Sequence, residues 1–303
     1  MEIYTLNSKC DGLPLEIGVT VPEGEPRGIV QLSHGMAEHK ERYRDFMQYL
    51  SGNGYICVIH DHRGHGASVK SPEDLGYFYT ENACHIVEDL YQVTCFVKER
   101  YPGLRLILFS HSMGTLVSRN YLKKYDGAID QLILCGPPTE NPLSPAGILL
   151  AKLSILFKGD RYRSPLLQKL TFGSYNRGLS PENAWICTDS RTVGAYNDDA
   201  LCGYVFTNNG FLNLYRLMRN AFCNKGWELH NPALPIFLIA GSDDPVIQSE
   251  KKFYRLEEFL RQRGYRNTES KLYEGKRHEL LNEQGKMEVY GDIKAFIERG
   301  LGL

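Results

Sequence analysis

The sequence predicts an α/β protein built on a mostly parallel, doubly wound sheet. Short apolar runs at 28–33, 55–59, 104–109, 132–135 and 235–240 read as strands buried on both faces. Helix-spaced apolar stripes separate most of them, and strand and helix in alternation place helices on both faces of a parallel sheet. One strand-to-helix junction reads Ser110-His111-Ser112-Met113-Gly114. So abrupt a turn needs small residues around its centre and holds the central residue strained, with its side chain exposed. Ser112 is the apex of that elbow.

Taken in order, residues 2–7 and 13–21 form an N-terminal hairpin around Asp11-Gly12. The strand 28–33 ends at His34-Gly35-Met36-Ala37-Glu38-His39, and the next helix carries Tyr43, Phe46, Met47 and Leu50 on one stripe. Tyr55 to Ile59 leads into His60-Asp61-His62-Arg63-Gly64-His65-Gly66, where Asp61 and Arg63 are expected to pair. A helix over 83–100 presents Ile86, Leu90, Val93 and Val97 on one face. The elbow strand 104–109 follows, and then a helix with Val117, Tyr121 and Tyr125 four apart. The sixth strand, Leu132 to Cys135, closes at Pro137-Pro138.

There the alternation stops. Residues 139–214 show no clear strand, which predicts a mainly helical cap inserted into a core made of 1–138 and 215–303. In the segment 147–157, Ile148, Ala151 and Ile155 fall on one side of a helix and Leu149, Leu153 and Leu156 on another. Leu149 and Leu153 are expected to bind the acyl part of a substrate, with transient contact to a lipid surface through the cap. The α/β rhythm resumes at 235–240, ending in Gly241-Ser242-Asp243-Asp244-Pro245-Val246. A charged helix (about 248–263), a strand (270–273), a loop to His278 and a last helix bearing Met287, Tyr290, Ile293 and Phe296 complete the chain.

Composition excludes some classes. A net charge of -1 over 303 residues gives no general attraction to nucleic acid. No apolar run approaches bilayer length, and the N-terminus has neither a basic nor an apolar leader region. The 8 cysteines are scattered without a Cys-x-x-Cys pair, so reduced, mostly buried thiols in a cytoplasmic protein are expected.

A serine hydroxyl attacks only when a base takes its proton, and the base needs an acid to orient it. In this class of fold the chain order is Ser, acid, His, each on a loop at a strand's carboxyl end. Of the histidines after the elbow helix, His230 precedes the acid-bearing strand and His278 follows the next one, so His278 is the expected base. Asp243 and Asp244 both follow strand 235–240; the reach past Gly241 and the following Pro245-Val246 favour Asp244, with Asp243 as a turn residue. The backbone N–H groups of Met113 and Met36 are the expected oxyanion donors.

HGMAEHKERY (34–43), HDHRGHGAS (60–68), SHSMG (110–114), GSDDPV (241–246) and RHELLNE (277–283) together resemble the monoacylglycerol lipase and lysophospholipase branch of the α/β-hydrolases. The resemblance covers the chain apart from the insertion, which is similar to that branch's cap in position only. It implies the α/β-hydrolase fold and cleavage of carboxylic esters through an acyl-enzyme, with a single-chain lipid ester as substrate and no cofactor. Ser110 stands where the elbow usually has glycine. Because the branch is also similar to carboxylesterases and some peptidases, a short-chain carboxylesterase and a proline iminopeptidase-type peptidase stay open. A catalytically silent, ligand-binding hydrolase is the alternative from another class. The 60–65 stretch resembles His-x-His-x-Asp-His metal sites, but Gly64 cannot ligate. No metal is expected, and the oligomeric state is left open.

Overall fold

The computed structural model describes residues 1–302. Eight strands form one sheet in the order β1-β2-β4-β3-β5-β6-β7-β8. These are β1 (Glu2–Asn7), β2 (Pro14–Thr20), β3 (Gly28–Ser33), β4 (Tyr55–His60), β5 (Leu106–His111), β6 (Gln131–Cys135), β7 (Ile236–Gly241) and β8 (Thr268–Tyr273). Strand β2 runs antiparallel to both of its neighbours, β1 and β4, and β3 through β8 are parallel to one another. Every residue of β3 to β7 is buried, as strands covered on both faces must be.

One face of the sheet is covered by α1 (Arg44–Gly52) and α9 (Lys286–Leu301), the other by α2 (His85–Arg100), α3 (Met113–Tyr125) and α8 (Glu250–Gln262). The stripes expected for α1 and α2 are the buried ones. In α9, Tyr290, Ile293 and Phe296 are buried but Met287 is exposed; Val289 and Ile297 complete the packed face instead. The elbow strand also sits two residues later than expected, because the ladder to β6 continues to the pair His111–Cys135.

Between β6 and β7 the described chain holds only helices: α4 (Ser144–Lys158), α5 (Pro165–Phe172), α6 (Ser190–Asp198) and α7 (Asn208–Ala221). Helix α7 crosses position 214 and packs against both α4 above and α3 below. Helix α4 buries Ala151 and half-buries Ile148 and Ile155 on the main core, while Tyr215 of α7 crowds the space beside Gly147. The opposite face of α4 is open.

Candidate active site

The carboxyl edge of the sheet collects the candidate residues. Directly after β5, Ser112 has φ +52° and ψ −120°, a backbone region that a residue with a side chain holds only under constraint. Its N–H donates to the Cys135 carbonyl at 3.0 Å, and its own carbonyl accepts from the Thr115 N–H at 2.9 Å and the Thr115 hydroxyl at 2.7 Å. A Cβ on Gly114 would be driven into the Ser33 carbonyl oxygen, so the helix can approach β3 this closely only with glycine there. Ser110 fits where glycine is usual because its hydroxyl is satisfied, 2.9 Å from the Ser118 hydroxyl and 3.1 Å from the Ile133 carbonyl.

Past β7 the chain turns so that Asp244 is buried, with Oδ1 accepting the Val246 N–H at 2.8 Å and Oδ2 lying 2.8 Å from His278 Nδ1. With the Nδ1 N–H donating to that carboxylate, Nε2 is the free acceptor of the ring. Gly136 at the end of β6 has φ +56°, and a Cβ there would stand 3.0 Å from the His278 ring. Asp243 is exposed and bonds the Ser242 hydroxyl, and His230 lies far from this edge, paired with Asp126 at 3.2 Å. Of the alternatives the sequence offered, Asp244 and His278 are the two brought together.

The turn after β3 is held from two sides. Glu38 Oε1 accepts the Gly35 N–H, and the carbonyl of Ala37 (φ +51°) accepts from the Gly203 N–H at 2.9 Å and the Tyr196 hydroxyl at 3.2 Å. Among the described residues no acceptor meets the N–H of Met36 or of Met113, the latter at the N-terminus of α3. Met36, Met113, Ser112 and His278 all line one cleft of about 910 Å³, mouth included. Apolar side chains on its walls include Leu116, Phe172, Leu214, Met218 and Val246. Trp185 from the insertion lies against the His278 ring, centroids 5.2 Å apart.

Two expectations need correction. Leu149 and Leu153 do not line the cleft: they are 58% and 42% exposed, because α4 turns Ala151 and its neighbours inward and leaves these two on the outer face. Asp61 and Arg63 do not pair with each other. Asp61 bonds Lys40 Nζ at 2.8 Å, and Arg63 reaches Asp89 at 2.7 Å and Asp11 at 2.8 Å on the far side of the loop. The histidines around them form a packed aromatic cluster, with His34–His62 and His60–His62 centroids 4.4 and 4.6 Å apart. Burial holds His60 and His65 down to about 3, so they are neutral. Elsewhere, His39, Asp199 and Cys202 come close enough for a metal, but the imidazole is already bonded to Asp199 at 2.8 Å.

Sequence reasoning missed the polar layer beneath the turn. Arg42 forks onto Glu279 at 2.5 and 2.7 Å and reaches Glu38 at 3.0 Å, with Tyr196 across its face. The i,i+4 spacing of Glu38 and Arg42 was a usable signal; nothing in the insertion pointed to Trp185 or Tyr196.

A strained serine at a strand–helix turn, an Asp–His pair on the following strand ends and a helical insertion over the cleft define an α/β-hydrolase. Residues 24–285 match the profile of the serine aminopeptidase S33 family, and the chain belongs to it. It is 25% identical over 288 residues to the monoacylglycerol lipase of Mycolicibacterium smegmatis, covering 94% of this chain and 93% of that one. Human monoglyceride lipase is 26% identical, with 96% and 88% covered. A thermostable carboxyl esterase from Bacillus coagulans superposes with a TM-score of 0.89 at 25% identity, covering 99% and 98% of the two chains.

Proposed function

We propose that the chain is a serine hydrolase that cleaves single-chain lipid esters of the monoacylglycerol or lysophospholipid type. The observation that carries this reading is the buried Asp244–His278 pair set in the same apolar cleft as the strained Ser112. Ser112 Oγ attacks the ester carbonyl while His278 Nε2 takes its proton, and the Met36 and Met113 N–H groups meet the oxygen as it gains charge. The base then returns the proton to the departing alcohol, and water releases the fatty acid from Ser112 by the same steps in reverse.

An ester fits this cleft better than a peptide with a free amine. The cleft's carboxylates, Glu38 and Glu279, are both already bonded to Arg42, and Glu38 also meets the His111 ring, which leaves neither free to hold an ammonium group. Outside the cleft, α4 and α5 expose Leu149, Leu153, Leu166 and Leu170, with Leu156 and Phe157 74% and 76% exposed. So large an apolar patch, edged by Lys152, Lys158 and Lys169, suits transient contact with a lipid surface from which single-chain substrates are drawn. No helix is long and apolar enough to cross a membrane. Eight free cysteines, three of them exposed, suit a reducing compartment, and we place the protein in the cytoplasm.

The test is labelling with a fluorophosphonate, followed by a series of glycerol monoesters, lysophospholipids and p-nitrophenyl esters. Labelling at Ser112 with faster turnover of long-chain monoesters is the expected result. An unlabelled protein would be a binding module, and a best substrate at acetate would make it a short-chain esterase.

A further inference from the structure

His111, the residue before the nucleophile, is buried, and both of its ring nitrogens face oxygen. Nδ1 lies 3.1 Å from Glu38 Oε1, and Nε2 lies 3.2 Å from the backbone carbonyl of His278. A carbonyl can only accept. Glu38 acts as an acceptor too, since the Gly35 N–H, the Tyr43 hydroxyl and Arg42 all donate to its carboxylate. A neutral imidazole has one N–H and could serve only one of its two neighbours. We propose that His111 is a charged, doubly protonated positioning residue for ester hydrolysis at neutral pH, which ties the oxyanion turn and the base loop to the elbow from beneath.

The groups packed around it support the charge. Burial pulls the His111 proton affinity down, but the hydrogen bond and charge of Glu38, with Glu279 and the His278 carbonyl behind, outweigh it and hold its pKa above the ordinary histidine value. Burial likewise opposes the Glu38 charge, yet His111 and Arg42 hold that carboxyl well below its usual range. Of the other titratable neighbours, Tyr43 and Cys135 are pushed well up by burial and stay neutral, and the third is the ring of His278 itself. Glu38, His111, Arg42 and Glu279 therefore form a closed set of two negative and two positive charges. Each end of it touches a different part of the site. Glu38 holds the Gly35 N–H of the oxyanion turn, His111 leads directly into Ser112, and the carbonyl of His278 is the far anchor. The rings of His111 and His278 are 4.7 Å apart, so a shift of the first displaces the second. Misplacing a reacting group by about 1 Å can cost on the order of 10²-fold in rate.

This role rests on the hydrolase reading, and the two fail separately. Protein labelled with ¹⁵N in its histidine rings is observed by NMR from pH 6 to 9, with His111→Gln assigning the signal. Two protonated nitrogens on His111 at pH 7.5 are expected, in the wild type and in Ser112→Ala alike. One bare nitrogen there overturns the proposal without touching the hydrolase reading. His111→Gln is expected to lower kcat by about tenfold or more with KM for a soluble ester little changed; unchanged kcat would remove the positioning role. Should His111→Gln fail to fold, Glu38→Gln serves. Without the carboxylate, the His111 nitrogens should lose their second proton at lower pH than in the wild type, with kcat falling over the same range. Titration at an unaltered pH would overturn the proposal. Activity retained in Ser112→Ala would instead defeat the hydrolase reading.

Discussion

The indole of Trp185 lies over the imidazole of His278, centroids 5.2 Å apart and planes 38° from parallel. A residue of the insertion thus shapes the pocket of a histidine carried by the core. Trp185 also meets Tyr175 at 5.1 Å, so the aromatic cover over the ring belongs to the insertion. Trp185→Ala should lower kcat by about tenfold while leaving the unfolding temperature nearly unchanged, since the residue is only half-buried. Steady-state kinetics beside thermal unfolding checks this; an unaltered kcat would reduce Trp185 to a spectator.

The triad assignment predicts graded losses. Ser112→Ala should abolish turnover with the fold intact, and His278→Ala and Asp244→Asn should each lose on the order of 10³-fold or more. Asp243→Asn, on an exposed turn residue, should behave like the wild type. Inactive Asp243→Asn beside active Asp244→Asn would transfer the role of the acid.

Chain length should be read by the apolar wall of the cleft. Each buried methylene contributes about 0.8 kcal/mol, roughly fourfold per carbon, so kcat/KM should climb from acetate until the cleft is full. Leu214, buried on α7, is part of the apolar wall of the cleft. Leu214→Phe should move the optimum to shorter esters with little effect on acetate. A uniform loss across the series would place Leu214 outside the acyl path.

The outer face of α4 should behave differently. Leu156→Asp with Phe157→Asp alters side chains that are about three-quarters exposed, so rates on dissolved p-nitrophenyl acetate should stay the same. Sedimentation with phospholipid vesicles, and rates on vesicle-borne monoester, should drop. Equal loss on both substrates would show that the patch supports the fold rather than a surface encounter.

Acid stability follows from the buried histidines. His60 and His65 have folded pKa values pushed down to about 3 by burial, whereas free histidine titrates near ~6.5. Between those values the unfolded chain binds protons that the folded chain refuses, so stability falls as pH drops through that window. The slope is about 1.4 kcal/mol per pH unit for each linked proton, a few degrees of unfolding temperature for a chain of this size. Unfolding scans from pH 7.5 to 5 should show this fall, shallower in His60→Phe. Identical slopes in the two proteins would exclude His60 as a linked group.

What the sequence disclosed follows from the range of the interactions involved. The elbow turn and the Asp244 loop stood out because each follows an apolar strand, and local pattern reports strands well; His278 was reached only by chain order, since the strand before it, β8, is mostly polar. The two faces of α4 were legible from spacing too, but which face turns inward is decided by Tyr215 and α7 from far along the chain, and there Leu149 and Leu153 were misplaced. Asp61 and Arg63 failed similarly: opposite charges two residues apart invite pairing, yet both found partners in other segments. The Glu38–His111–Arg42–Glu279 layer joins three separated stretches, and no local period encodes such a set.

The distance in sequence between His111 and its anchor on His278 is 167 residues. During synthesis the nucleophile is therefore made long before its base exists, and the carbonyl that holds His111 follows only after 167 further residues. Domains fold as units as they emerge, but this one cannot complete its catalytic edge until residue 278 has been added. A nascent chain stalled before residue 278 would carry Ser112 without the base that activates it or the anchor that holds His111.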